Sequence, residues 1–246
     1  MQHRSKKIKK SFFIILVVLI VLSGGSAIYL GNYYHSVDVE KYMNGSSEVS
    51  VEKFDKGWFF DGAGEEKALI FYPGAKVATE AYAPLMYQLA ESGIDCFLVD
   101  MPFHMAFFGM NRAEEIMQEY NYEAWYLGGH SLGGAMAANF AADYVEDHRG
   151  GIRGLLLLAA YPTKDLSTSD MSVVTVYGSE DGVLNIDKIV AGRELMPQDY
   201  KEVCIEGGNH AQFGSYGAQK GDGTAAIPAE EQWARTVEVF VGDESE

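Results

Sequence analysis

Apolar and polar residues along the body of the chain predict strands and helices that follow one another in turn. Short apolar runs that end at turn residues predict strands, and apolar residues spaced three or four apart predict helices. The predicted strands cover 47–54, 68–72, 95–99, 124–127, 154–160, 172–177 and 200–205, and residues 58–62 are expected to lead into a glycine-rich turn. The predicted helices cover 80–92, 113–120, 133–144, 186–195 and 229–240.

This alternation of the two kinds of element indicates the α/β class. Several predicted strands are continuously apolar, such as the one that holds four leucines at 155–158. Strands buried on both faces have this composition, so we expect a mostly parallel sheet with helices on both faces. No Pro-rich or Ser-rich segment divides the body. Residues 47–246 are therefore predicted to form one domain, preceded by a linker over 31–46.

The N-terminal segment has a different pattern. Five basic residues precede Ser11, and no charged residue follows them until Asp38. The apolar run over 12–30 approaches the length that spans a bilayer, and the basic tail over 1–11 would remain in the cytoplasm. We therefore expect a transmembrane signal anchor, which makes the protein a single-pass protein of the cell membrane with an extracytoplasmic domain. Cleavage of the segment as a signal peptide, which would release a secreted protein, is the alternative.

Charge and cysteine content exclude several classes of protein. The chain has 246 residues, is 48% hydrophobic and carries a formal charge of −16. It has 19 basic and 35 acidic residues, and five of the basic ones lie in the tail. The body thus lacks the basic surface of a nucleic-acid-binding protein, and no nucleic-acid partner is expected. Two cysteines are too few for a disulfide scaffold or a four-cysteine zinc site. Cys96 and Cys204 lie in separate predicted strands, and we expect two buried free thiols.

The strongest chemical signal is a Gly-x-Ser-x-Gly motif formed by Gly129, Ser131 and Gly133. It stands where a predicted strand gives way to an alanine-rich helix, the context in which this motif forms a nucleophile elbow. The glycines leave room for a sharp turn that presents the serine hydroxyl above the sheet. The amide of Leu132, directly before the predicted helix, would donate one hydrogen bond to a substrate oxyanion.

A nucleophilic serine needs a base to accept its proton and an acid to orient that base. Asp181 follows a predicted strand in a turn, and His210 follows the next strand in the same way. These two residues are the predicted acid and base, and Glu180 is the alternative acid because it is adjacent to Asp181. The other five histidines do not follow a strand downstream of Ser131.

Four segments of the chain, over 71–74, 129–134, 178–182 and 208–214, resemble the α/β-hydrolase superfamily, and in pattern the small bacterial members related to dienelactone hydrolases. The resemblance covers about residues 66–240 and implies an eight-stranded, mostly parallel sheet and serine-hydrolase chemistry. The order Ser131, Asp181, His210 is the order of that superfamily. Dienelactone hydrolases use a cysteine nucleophile, whereas this chain has Ser131, so their substrate specificity is not carried over. Only residues 161–171 stand where a cap would be inserted, and no large lid is expected.

The second oxyanion donor of this fold comes from the loop after the third strand. The amide of Ala75 is the predicted donor, and that of Lys76 is the alternative. Three residues are candidates for lining the substrate pocket: Lys76, Phe103 and His104. No metal or cofactor is implied.

These residues predict a serine hydrolase that cleaves a carboxylic ester or a related acyl compound, with a small-molecule or lipid-like acyl substrate as its partner. Two alternatives use the same fold. One is an acyltransferase with the same triad, because hydrolysis and transfer share the acyl-enzyme. The other is a binding module without catalytic activity.

Overall fold

The computed structural model describes residues 31–148 and 151–243, and an eight-stranded sheet forms its centre. The strands are β1 (Ser50–Phe54), β2 (Gly57–Asp61), β3 (Lys67–Tyr72), β4 (Asp95–Val99), β5 (Ala124–His130), β6 (Ile152–Leu158), β7 (Ser172–Gly178) and β8 (Tyr200–Ile205). Their order across the sheet is β1-β2-β4-β3-β5-β6-β7-β8. The six strands from β3 to β8 run parallel to one another, and β2 is antiparallel to both β1 and β4. The expectation of a mostly parallel sheet of eight strands is confirmed.

Helices cover both faces of this sheet, as predicted. They are α1 (Glu40–Met43), α2 (Ala83–Glu91), α3 (Arg112–Glu119), α4 (Leu132–His148), α5 (Ile186–Gly192) and α6 (Ala229–Asp243), with short 3-10 turns between several of them. Alternate residues of the central strands face opposite sides. In β3, Leu69 and Phe71 pack in the core layer that includes α2 and α6, whereas Ile70 and Tyr72 pack in the layer that includes α3 and α4.

The sequence pattern did not predict strand β2, which forms just before the predicted turn. Trp58, Phe59 and Phe60 pair with β1 on one side and with β4 on the other. Three consecutive aromatic residues show no alternation of apolar and polar positions, and the neighbouring Gly62 indicated a turn. The pairing of β2 is set by strands that the local pattern does not reveal.

The linker predicted over 31–46 is also shorter than expected, because the folded unit begins at Tyr34. Tyr34 forms a parallel bridge with Val77. Val39 and Tyr42 are buried in the core. The apolar run over 12–30 lies outside the described residues. Across 31–148 and 151–243, no helix combines the length and the apolar character that crossing a membrane requires.

Both cysteines are free, and one of the two predicted burials is wrong. Cys96 is buried in β4, whereas Cys204 is exposed. Cys204 lies in β8 at the edge of the sheet, and its side chain points to the face opposite to that of Ile205, which packs in the core. Four strands separate β4 from β8, which places the two thiols beyond the reach of a disulfide.

The segment between β6 and β7 leaves no room for a large lid, as predicted. It runs over 159–171 and contains no helix or strand. Its residue Leu166 is buried, and the amide of Leu166 donates a hydrogen bond to the carbonyl oxygen of Leu195. This connection therefore packs onto the domain and does not form a separate cap.

Candidate active site

Ser131 lies at the turn between β5 and α4, and its backbone has a positive φ of 54°. Residues other than glycine rarely adopt this left-handed conformation, and they hold it where the surrounding structure requires it. Glycines allow the backbone of this turn to approach the end of β3 and to fold back closely on itself. A Cβ atom at Gly133 would lie 2.1 Å from the carbonyl oxygen of Tyr72, and one at Gly129 would lie 2.6 Å from the backbone of Gly133. The motif thus forms the sharp strand-to-helix turn that its spacing predicted.

The candidate base and acid meet at the ends of β8 and β7. Nδ1 of His210 and Oδ2 of Asp181 lie 2.8 Å apart, and both side chains are only 2% exposed. A carboxylate at this position favours the tautomer with the proton on Nδ1, which leaves Nε2 able to accept a proton. The alternative acid, Glu180, is exposed and accepts a hydrogen bond from the hydroxyl of Ser179. The structure therefore brings Asp181, and not Glu180, to His210.

Further contacts hold this pair beside the nucleophile turn. Oδ1 of Asp181 accepts hydrogen bonds from two backbone amides of its own loop, at 2.8 and 2.7 Å. The ring centroids of His210 and His130 are 4.4 Å apart, and His130 directly precedes Ser131 in the chain. The candidate base is thus packed against the neighbour of the candidate nucleophile.

The loop after β3 and the start of α4 hold the candidate oxyanion donors. The amide of Lys76 donates to the carbonyl oxygen of His104 at 2.7 Å and is therefore already used. The amide of Ala75 makes no hydrogen bond to another described residue. Leu132 is the first residue of α4, where backbone amides have no partner within the helix. Ala75 and Leu132, rather than Lys76, hold the amides that can serve a substrate oxyanion.

A buried tyrosine, which the sequence analysis missed, joins these segments. The hydroxyl of Tyr82 accepts a hydrogen bond from the amide of Gly74 at 3.0 Å, and it lies 2.8 Å from Nδ1 of His130. Tyr82 is fully buried, and burial raises the pKa of its hydroxyl above the ordinary value. It thereby links the oxyanion loop to the nucleophile turn and, through His130, to His210. In the sequence Tyr82 counts only as one apolar position of a helix, and no local signal reveals this contact.

The buried His130 makes the stability of the protein depend on pH. Burial lowers the pKa of His130 well below 6.5, and the neighbouring His210 lowers it further. In the unfolded chain the same side chain binds a proton below about pH 6.5. Because the unfolded state then binds more protons, this residue decreases the free energy of unfolding as the pH falls below about 6.5, by up to about 1.4 kcal/mol per pH unit. It has no such effect at higher pH.

We expect urea unfolding to show this decrease between about pH 6.5 and about pH 5.5, a window above the range in which most carboxylates titrate. The matched control is His130→Gln, which has no titrating ring at this position and should lose less stability over the same interval. Equal losses in the two proteins would show that His130 is not held neutral in the folded state.

Asp222 is a second residue that the sequence analysis missed. Its Oδ1 accepts hydrogen bonds from the amides of Gly182 at 3.1 Å and His210 at 3.2 Å, and its Oδ2 accepts one from Ala211 at 2.8 Å. This one carboxylate therefore fastens the loop that carries Asp181 to the loop that carries His210. The available signal in the sequence is an acidic residue within a glycine-rich segment that follows the candidate base.

The three predicted pocket residues lie at the same end of the sheet but differ in their surroundings. Lys76 and His104 are half-buried and joined by their backbone hydrogen bond beside the oxyanion loop. Burial lowers the pKa of the His104 side chain. Phe103 is 57% exposed, and its ring lies 5.7 Å from that of Phe108. The structure thus brings Lys76 and His104 together and leaves Phe103 on the outer surface.

Comparison with known proteins bears on the family and the fold of this chain. The sequence pattern of the alpha/beta hydrolase family matches residues 68–234. No curated protein matches the chain. An esterase from Pyrobaculum calidifontis has a similar structure, with a TM-score of 0.59 and 13% identity over 84% of this chain and 88% of the esterase. A monoacylglycerol lipase from Paleococcus ferrophilus has a TM-score of 0.56 and 14% identity over 80% of this chain and 99% of the lipase.

Carboxyl esterase 2 from the fungus Tuber melanosporum is a third example, with a TM-score of 0.58 and 13% identity over 84% of this chain and 91% of the esterase. Such low identities show a shared fold and no more. The match to the family pattern is the stronger finding, because it covers more than half of the chain and includes Ala75, Ser131, Asp181 and His210. The chain belongs to the alpha/beta hydrolase family.

Proposed function

We propose that the protein is a serine hydrolase that cleaves carboxylic esters through an acyl-enzyme on Ser131. The observation that carries the proposal is the buried pair of His210 and Asp181 packed against the nucleophile turn. Two structurally similar proteins are esterases and a third is a monoacylglycerol lipase, which supports an ester as the substrate.

The proposed reaction has two steps that use the same groups. His210, oriented by Asp181, accepts the hydroxyl proton of Ser131 while the hydroxyl oxygen of Ser131 attacks the ester carbonyl. The amides of Leu132 and Ala75 donate hydrogen bonds to the oxyanion that forms. His210 then gives its proton to the departing alcohol, which leaves the acyl group on Ser131. In the second step, water that loses a proton to His210 attacks the acyl group, and His210 returns that proton to the oxygen of Ser131 as its bond to the acyl group breaks and the acid leaves.

The products of a model ester test this proposal. We expect the full chain to release 4-methylumbelliferone and free butyrate in equal amounts from 4-methylumbelliferyl butyrate. Release of the alcohol without an equal amount of acid, when an acceptor alcohol is added, would indicate acyl transfer. A folded protein that releases neither product would favour the binding module.

Asp222 should act on this reaction as a positioning residue. Asp222→Asn keeps one acceptor oxygen but turns an amino group towards backbone amides that also donate, so the loops of Asp181 and His210 should shift. Displacing a catalytic group by about 1 Å costs on the order of 100-fold, and we expect kcat to fall by about 10- to 100-fold. KM should stay within about threefold because Asp222 is not proposed to touch the substrate.

Asp165→Asn is the matched control for this variant. The Asp165 carboxylate also accepts a backbone hydrogen bond, from Ser167, but it lies on the segment between β6 and β7 and is exposed. We expect it to leave both kinetic constants close to those of the native protein. Equal kcat values for Asp222→Asn and Asp165→Asn would contradict the positioning role.

We also propose that residues 12–30 anchor the protein in the cell membrane and that the domain lies outside the cytoplasm. The support is the uncharged apolar run, with a basic tail on its N-terminal side. In intact cells, external protease should degrade the domain, and alkaline washing should leave the chain in the membrane. Release of the domain into the medium would instead indicate cleavage of a signal peptide.

A further inference from the structure

Large apolar side chains that remain exposed in the described part of the chain collect at one edge of the sheet. We name this the catalytic edge: it consists of the loops that follow β3, β4, β5, β7 and β8, with the segments bonded to them. The exposed residues in it are Val37, Phe103, Phe107, Phe108 and Val183; Ile186 is the first residue of the helix that begins there, and Val190 lies farther along that helix. Single exposed apolar residues are normal on a protein surface, but a collection around one site indicates contact with an apolar partner.

Three separate segments contribute to this collection. The phenylalanines follow β4, and the residues from Val183 to Val190 belong to the loop and helix that follow β7. Val37 exchanges two hydrogen bonds with Ser215, which lies in the loop after β8. The exposed apolar surface is therefore a property of the catalytic edge as a whole and does not come from one loop.

Phe103, Phe107 and Phe108 form an aromatic cluster that is the most exposed part of this edge. Their side chains are 57%, 68% and 56% exposed. Neighbouring rings lie 5.7 and 5.5 Å apart in edge-to-face contacts. Phe103 and His104 both have positive φ values, of 56° and 54°, and the carbonyl oxygen of His104 bonds to Lys76. Such backbone strain is retained where function or the surrounding structure requires it. Here the strained segment is hydrogen-bonded to the oxyanion loop, and the rings that it carries remain exposed.

The chain enters the folded unit at the same edge. Tyr34, the first residue of the unit, bridges to Val77 in the loop after β3. Its hydroxyl accepts a hydrogen bond from the amide of Lys220, in the loop after β8. The predicted anchor ends at residue 30, and four residues of extended chain span at most about 14 Å. An anchor in the membrane would therefore keep the catalytic edge close to the membrane surface.

We propose that the catalytic edge lies on the outer surface of the bilayer, with the aromatic cluster inserted among the lipid head groups, and that the ester substrate is an amphiphile taken from that layer. This inference rests on the proposed function, because it assigns the substrate class of the same site. An acyl chain that already lies in the bilayer would meet the catalytic edge at the cluster without passing through water. The segment over 159–171 does not form a cap that would block this route.

Apolar contact, rather than charge, would hold the edge at the bilayer. The chain has 35 acidic residues against 19 basic ones, and five of the basic ones precede Ser11, so anionic head groups would repel the domain. Aromatic side chains insert into the interfacial layer without needing opposite charge. Because the anchor holds the domain at a high local concentration near the surface, weak insertion is sufficient.

Quenching of tryptophan fluorescence by brominated lipid tests the orientation. The full chain with Phe107→Trp is reconstituted in phosphatidylcholine vesicles with brominated acyl chains. The matched control is Glu65→Trp, an exposed position before β3 at the opposite edge of the sheet. After subtraction of the signal of the native tryptophans, we expect quenching for Phe107→Trp and none for Glu65→Trp. No quenching for Phe107→Trp, or equal quenching of the two, would overturn the inference.

Two esters with the same leaving group test the substrate class. Phe107→Ser with Phe108→Ser should lower hydrolysis of 4-methylumbelliferyl oleate in phosphatidylcholine vesicles by about tenfold or more, because two apolar insertions are lost. Hydrolysis of dissolved 4-methylumbelliferyl butyrate should stay unchanged. A second double variant, Phe107→Trp with Phe108→Trp, should keep the vesicle activity of the native chain.

These outcomes separate the inference from the proposed function. An unchanged rate on the vesicle ester in the double serine variant would overturn the inference and leave the proposed function intact. Failure of the native chain to hydrolyse the dissolved butyrate would count against the proposed function itself.

Discussion

Replacing Ser131 with alanine should lower kcat for ester hydrolysis by a factor of about 10⁴ or more. The variant keeps the backbone amides, His210 and Asp181, and it removes only the oxygen that forms the acyl-enzyme. The free energy of unfolding should change by less than about 1 kcal/mol, because Ser131 is only partly buried and the substitution removes a single oxygen atom. Steady-state kinetics and urea unfolding of the same preparation measure the two effects.

Ser131→Gly provides a second variant that separates activity from folding. The φ of 54° at this position strains any residue with a Cβ atom, and glycine removes the strain. We expect this variant to be as inactive as Ser131→Ala and more stable than it, by about 0.5–1 kcal/mol. Retention of hydrolysis in either variant would contradict the role of Ser131.

Asp181→Asn should lower kcat by a factor of about 10⁴ while the loop keeps its shape. The asparagine oxygen can still accept the two backbone hydrogen bonds of the loop, which leaves its amino group to face Nδ1 of His210. That amino group donates a hydrogen bond, so Nδ1 becomes the acceptor and the proton moves to Nε2. His210 then presents a donor to Ser131 and can no longer accept its proton.

Glu180→Gln is the control for this variant, because it makes the same chemical change at the adjacent residue. Glu180 is exposed and contacts Ser179 rather than His210. We expect kcat to stay within about threefold of the native value. If Glu180→Gln lowered kcat more than Asp181→Asn, the acid would be Glu180 and the geometry described for His210 would not be the active one.

The fold and the core of the candidate site could be predicted from the sequence because their signals are local. Ser131, Asp181 and His210 each follow a predicted strand and stand in a turn rich in glycine, and they occur in the order that the superfamily uses. Parallel strands bring their carboxyl ends to one edge of the sheet, and the approximate meeting place of the three residues follows from the topology.

The features that could not be predicted depend on partners far away in the sequence. Tyr82 contacts His130, 48 residues later, and Asp222 contacts Gly182, 40 residues earlier. Strand β2 is a strand because β1 and β4 flank it. The choice of Asp181 over Glu180 depends on which carboxylate the turn directs at His210. None of these contacts leaves a periodic or spaced pattern in the chain.

Labelling of the full chain with a fluorophosphonate probe, followed by mapping of the labelled peptide by mass spectrometry, tests directly whether Ser131 is an activated nucleophile. This probe reacts with a serine whose hydroxyl is activated by a neighbouring base. We expect the label on Ser131, strongly reduced labelling in His210→Ala, and none in Ser131→Ala. A folded native protein that stays unlabelled, or that carries the label on another serine, would contradict the account.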